Sequence, residues 1–95
     1  MRYLVNGTLR ADRTRDDLLG TIKGRSISDD AWELVRSGAI TEHAFKIGPR
    51  PGFFLIIEGD SEATVRATIA GMPAVRDGWF EIDVDPISRF MSDFR

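Results

Sequence analysis

Apolar and polar positions alternate along RYLVNGTL (2–9). Tyr3, Val5, Gly7 and Leu9 fall on one side, and Leu4, Asn6 and Thr8 on the other. A period of two predicts a β-strand, because successive side chains of an extended chain point to opposite faces. Gly7 weakens this strand and marks a bulge or the close approach of another group. The alternation returns in ITEHAFKI (40–47), where Thr41, His43, Phe45 and Ile47 oppose Glu42, Ala44 and Lys46. FFLIIEG (53–59) is apolar on both faces and predicts a central strand. GWFEIDVDP (78–86) sets Phe80, Ile82 and Val84 against Trp79, Glu81, Asp83 and Asp85, and Pro86 ends it.

Between the strands the period lengthens. Over residues 16–37, Leu18, Leu19 and Ile22 recur at helical spacing, as do Ala31, Trp32, Leu34 and Val35. Asp12 or Thr14 can cap the start, Ser26 with Asp29 resembles a capping box, and Gly38 is a natural stop. Gly20 and Gly24 each cost about 1 kcal/mol relative to Ala inside a helix. The segment is therefore one bent helix, or two helices broken near residues 24–28. The clearest helix is DSEATVRATIAGMP (60–73). Asp60 or Ser61 caps it and Glu62 lies in its positive first turn. Ala63, Val65, Ala67, Ile69 and Ala70 give it a buried side, and Gly71 with Pro73 ends it. GPRPG (48–52) is a turn by composition.

The resulting order is β, α, β, β, α, β. It predicts an α+β, ferredoxin-like sandwich of one domain over residues 1–95, with both helices on one face of a four-stranded antiparallel sheet. The third strand points Phe and Ile residues both ways, so the other face also needs cover. A second copy packed sheet against sheet would supply it, giving a dimeric α+β barrel and a homodimer or higher homo-oligomer. The tail ISRFMSDFR carries Ile87, Phe90, Met91 and Phe94, which need either their own domain or a neighbouring subunit.

Composition narrows the function. The chain is 42% hydrophobic and 29% charged, an ordinary globular balance. Thirteen basic and fifteen acidic residues leave a net charge of −2, so no basic excess exists to displace counterions from a nucleic acid. There is no cysteine, which removes thiolate chemistry and cysteine zinc sites. One histidine cannot build a multi-histidine metal site within the chain, and neither a metal nor another cofactor is expected. No apolar run approaches the ~20 residues of a membrane span. The N-terminal stretch lacks the apolar core of a signal peptide, and a cytoplasmic setting is expected.

Several stretches carry a resemblance. They are SG at Gly38, KIG at Gly48, EGDSEATVRATIAGMP (58–73) and FEIDVDPI (80–87), together with the element order. With these the chain resembles the muconolactone isomerase family of the dimeric α+β barrel superfamily, over nearly its whole length. The resemblance implies a small cofactor-free enzyme that binds an unsaturated lactone acid and moves a proton across the ring. It also implies dimers and rings of dimers. The matched motifs are caps, turns and core positions, so they carry no catalytic residue with them. The lysine-rich first helix of typical members is replaced here by TRDDLLGTIKGRSISDD, and their polar first strand by Asn6 and Thr8 beside Gly7.

The residues themselves offer candidates. His43 is the one side chain with an unperturbed pKa near neutrality, about 6.5. Beside Phe45 and Ile47 it can occupy an apolar pocket and act as base or acid next to a carbonyl. The plainer reading is a histidine at a sheet edge. Tyr3 can orient a substrate oxygen or be an amphipathic core residue. Asn6 can meet a ligand, though parity puts it on the face opposite Tyr3. Arg50, between two prolines, can receive a carboxylate or simply be solvated. Glu58 is a raised-pKa acid or base if desolvated, and otherwise a strand end in water. Trp32 and Trp79 offer flat surfaces to a ring, with the core as the alternative. Glu81, Asp83 and Asp85 spread over about 13 Å of strand and read as a solvated face or intersubunit contacts, not a metal site.

The leading expectation is a cofactor-independent isomerase or cyclase-like enzyme acting on a small unsaturated lactone or cyclic carbonyl compound, in catabolism or natural-product biosynthesis. A cofactor-free monooxygenase of the same superfamily and a non-catalytic ligand-binding or oligomerisation module are the alternatives.

Overall fold

The computed structural model describes residues 1–22 and 29–91. Its elements are β1 (Arg2–Leu9), α1 (Arg15–Ile22), α2 (Asp29–Arg36), β2 (Ile40–Lys46), β3 (Gly52–Glu58), α3 (Glu62–Ala70), α4 (Pro73–Arg76) and β4 (Phe80–Ile87). The Ser26 capping box, the helix break near 24–28 and Phe94 lie outside the described residues.

Local chemistry accounts for the helix ends. The Asp17 N–H donates to Thr14 Oγ1 at 3.1 Å, so Thr14 caps α1. The acidic Asp16 and Asp17 follow in the first turn, where the helix dipole favours them. Ser61 Oγ accepts from the Thr64 N–H at 3.2 Å and caps α3. After α2 the chain reverses through Gly38 at φ 84°, a conformation that costs glycine little. Gly71 ends α3, but Pro73 does more than stop it. Pro73 opens the short helix α4, whose first turn suits its fixed φ and missing N–H.

The strands form one antiparallel sheet in the order β2-β3-β1-β4, with β3 and β1 central. The split βαβ ferredoxin-like, α+β architecture is thus the observed one. Tyr3, Val5 and Leu9 are buried under the helices together with Phe53, Leu55 and Ile57 of β3 and Val84 of β4. Val65 and Ile69 of α3 close this core, and Leu34 and Val35 of α2 pack on it. Each fully buried Val or Ile contributes about 1.5–3 kcal/mol relative to exposure. Leu18 of α1 joins a smaller cluster with Leu9 and Trp79.

Trp79 departs from the alternation expected for it. It does not share the acidic face of β4. Gly78 turns the chain at φ 77°, and β4 begins only at Phe80. Trp79 N–H donates to the Ala74 carbonyl at 3.2 Å, and its own carbonyl accepts from Arg10 N–H at 3.0 Å. These bonds hold the indole in the Leu9–Leu18 cluster. The tail residues Phe90 and Met91 are exposed and do not pack on the domain.

Gly7 is a packing device on the helix side of β1. A Cβ there would stand 2.5 Å from Cε1 of Phe53, whose ring lies over the glycine and meets Phe80 edge-on at 5.1 Å between centroids. Gly7→Ala must displace that ring. We expect it to lower stability by about 1–3 kcal/mol in urea denaturation.

Candidate functional site

The register assigns every strand residue to one of two faces. On the helix side, one row runs Val84, Val5, Leu55, His43, and the next runs Ile82, Gly7, Phe53, Phe45. His43 and Phe45 therefore stand at the β2 edge of the surface that also carries Tyr3. Trp32 projects from α2 and meets His43 edge-on, with ring centroids 6.4 Å apart and planes at 78°. Trp32 is 41% exposed and Phe45 53% exposed, so both rings stand open to solvent near the imidazole, Trp32 in contact with it and Phe45 two positions along β2. The apolar burial expected around His43 does not occur. His43 and Ile47 are exposed, because β2 is an edge strand and its end runs past the cover of α2.

The other candidates separate from this patch. Tyr3 is buried in the core, and its hydroxyl makes no hydrogen bond among the described residues. It lies on the same face as His43 but two strands away and one row along, about 12 Å from Cα to Cα by ordinary strand spacing and rise. The two residues do not share a proton directly. Glu58 is exposed and pairs with the N-terminal ammonium of Met1 at 3.6 Å. Arg50 does not present a free fork: its Nη2 donates to the Leu9 carbonyl and ties the 48–52 turn to the end of β1. Trp79 is buried, with the Arg13 guanidinium 4.4 Å from the ring centroid.

Asn6 lies on the opposite, helix-free face. There Lys46 reaches across Gly52 and donates to Asn6 Oδ1 at 3.1 Å and to Thr8 Oγ1 at 2.7 Å. The side chain passes where Gly52 has none, since a Cβ on Gly52 would come within 2.8 Å of Lys46 Cε. Leu4, Phe54 and Ile56 lie half-buried on the same face, and Glu81, Asp83 and Asp85 line its β4 edge. Among the described residues no acidic or histidine cluster could hold a metal ion. No helix among them is long and apolar enough to cross a membrane.

Lys46 and Thr8 are the polar residues that periodicity alone passes over. Parity puts Lys46 opposite His43, but its partners are two strands away and emerge only from the strand order.

No protein-family model and no curated protein sequence matches the chain. Among solved structures, 5-chloro-2-hydroxyhydroquinone dehydrochlorinase from Burkholderia phenoliruptrix, in complex with 2,5-dihydroxybenzoquinone, is similar at TM-score 0.71 and 17% identity. The likeness covers 97% of this chain and 98% of that one, and at this identity it establishes a shared fold.

Proposed function

We propose that this protein is a cofactor-independent enzyme of the isomerase or cyclase type, which transfers a proton on a small cyclic carbonyl compound. The observation that carries the reading is the exposed patch between α2 and β2, where the chain's one imidazole meets the Trp32 ring edge-on and Phe45 follows it two positions along the same face of β2. An exposed aromatic patch binds a planar ring through apolar contact, while a histidine within it can take a proton beside the carbonyl and return it elsewhere. The shared fold with a dehydrochlorinase solved in complex with 2,5-dihydroxybenzoquinone supports a cyclic, oxygenated substrate, since elimination and double-bond migration can both begin with removal of such a proton. Tyr3, Glu58 and Arg50 take no part in this reading. Each is committed to the core, to the N-terminus or to a backbone carbonyl.

The test is incubation with a panel of butenolides, cyclic enones and hydroquinones, followed by proton NMR. Migration of a ring double bond without oxygen consumption is the expected result. Oxygen uptake without added flavin or metal would instead favour the monooxygenase reading. Saturable binding with no product from any compound would favour a non-catalytic module.

A further inference from the structure

β2 carries one residue more than the stretch of β3 it pairs with. Its start is anchored where buried Ile40 stands opposite Ile57 and the Ala39 carbonyl accepts from the Glu58 N–H at 2.9 Å. Its end is anchored where Phe45 and Lys46 stand opposite Phe53 and Gly52, next to the 48–52 turn. Between these anchors the register jumps from Ile40 to Glu42, and Thr41 is the residue left over, a β-bulge. The β1–β3 and β1–β4 ladders pair without such a jump over the described residues. In an unbroken strand, residues three apart lie on opposite faces. Here Ile40 and His43 share the helix side, because the bulge absorbs the odd residue.

We propose that Thr41 is a positioning residue for His43, and that its bulge sets the imidazole against Trp32. Its effect on turnover follows only if His43 moves the proton as proposed; the placement of the ring is independent of that. A bulge bends its strand and adds twist locally, which re-aims the side chains that follow it. His43 is the first helix-side residue after the bulge, and it is the one that meets the Trp32 ring. Thr41 fixes the bend. Its hydroxyl donates to the Ile56 carbonyl at 3.3 Å and ties the unpaired residue down onto β3. Without Thr41 the ladder closes as Ile40–Ile57, Glu42–Ile56, His43–Leu55, so the pairing survives and the aim of the imidazole changes.

The test compares the native chain with Thr41→Ser, Thr41→Val and a chain lacking Thr41. Cross-peaks between the His43 and Trp32 rings in NOESY spectra read the placement, and deuterium incorporation into cyclohex-2-enone reads the turnover. Thr41→Ser keeps the hydroxyl and is expected to keep both. Deletion is expected to abolish the His43–Trp32 cross-peaks while those between Phe45 and Phe53 remain, and to lower kcat about 10- to 100-fold with KM nearly unchanged. Thr41→Val is expected to change both readouts in the same direction by a smaller amount. It keeps side-chain shape, so it decides the matter if the shortened chain does not fold. Native cross-peaks in the shortened chain would overturn the proposal, as would native cross-peaks in Thr41→Val where the shortened chain does not fold. So would a fall in kcat with the cross-peaks kept, since the bulge would then act on something other than His43. A native chain that incorporates no deuterium would count against the proton-transfer reading, and the cross-peaks would still decide the placement.

Discussion

Gly52→Ala is expected to destabilise the fold by about 3 kcal/mol or more, a larger effect than most single core changes produce. The added Cβ would stand 2.0 Å from the carbonyl oxygen of Gly7 and 3.0 Å from its carbonyl carbon. These are backbone atoms of the neighbouring central strand, so no rotamer change relieves the contact. The strands must part, and they part where β1 is also fastened by the Leu9 N–H to the Pro51 carbonyl and by Arg50 to the Leu9 carbonyl. In a domain of this size 1 kcal/mol corresponds to about 4–8 °C in Tm, so the midpoint should fall by roughly 12 °C or more. Gly20→Ala provides the contrast. It lies on α1 and a Cβ there meets nothing within 4 Å. That change should raise stability by about 0.5–1 kcal/mol through helix propensity. Thermal unfolding of both variants checks the pair, and equal midpoints would contradict the close approach of β1 and β3.

His43→Ala is the second large effect. If the imidazole carries the proton, removing it should lower kcat/KM by about 10²–10⁴-fold, or about 2.7–5.4 kcal/mol of transition-state stabilisation. The fold should be nearly untouched, because His43 is exposed on an edge strand and its one ring contact among the described residues is with Trp32. Trp32→Ala should act differently, mainly by raising KM, since a flanking ring binds substrate and transition state alike. An unchanged kcat/KM in His43→Ala, with substrate still converted, would remove the histidine from the reaction.

Much of the fold was legible because strands announce themselves by parity. The alternation of residues 2–9 matches β1 to the residue, and the double-sided FFLII run does lie in a central strand. Thr14 and Ser61 were readable as caps because a side-chain oxygen before an apolar helix has few other uses. Parity failed at Trp79, where a positive-φ glycine precedes a strand that starts two residues later than expected, at Phe80, and the indole lies in the core. It also left His43 open between an apolar pocket and a sheet edge. Pattern gives the face of a residue but not its distance from the sheet edge, and the edge position of β2 is what leaves His43 open. Arg50 and Glu58 looked free for chemistry because their partners, the Leu9 carbonyl and the Met1 ammonium, are 41 and 57 positions away in sequence. The Lys46–Asn6–Thr8 centre was hidden for the same reason, since it exists only once β2, β3 and β1 are laid side by side.

The proposed role of His43 is to move a proton on a bound ring. The most direct measurement is proton NMR of a butenolide or cyclic enone incubated in D2O with the native chain and with His43→Ala. Enzyme-dependent deuterium incorporation beside the carbonyl is expected, reduced at least 100-fold in the variant. Deuterium incorporation at equal rates in both proteins would contradict it.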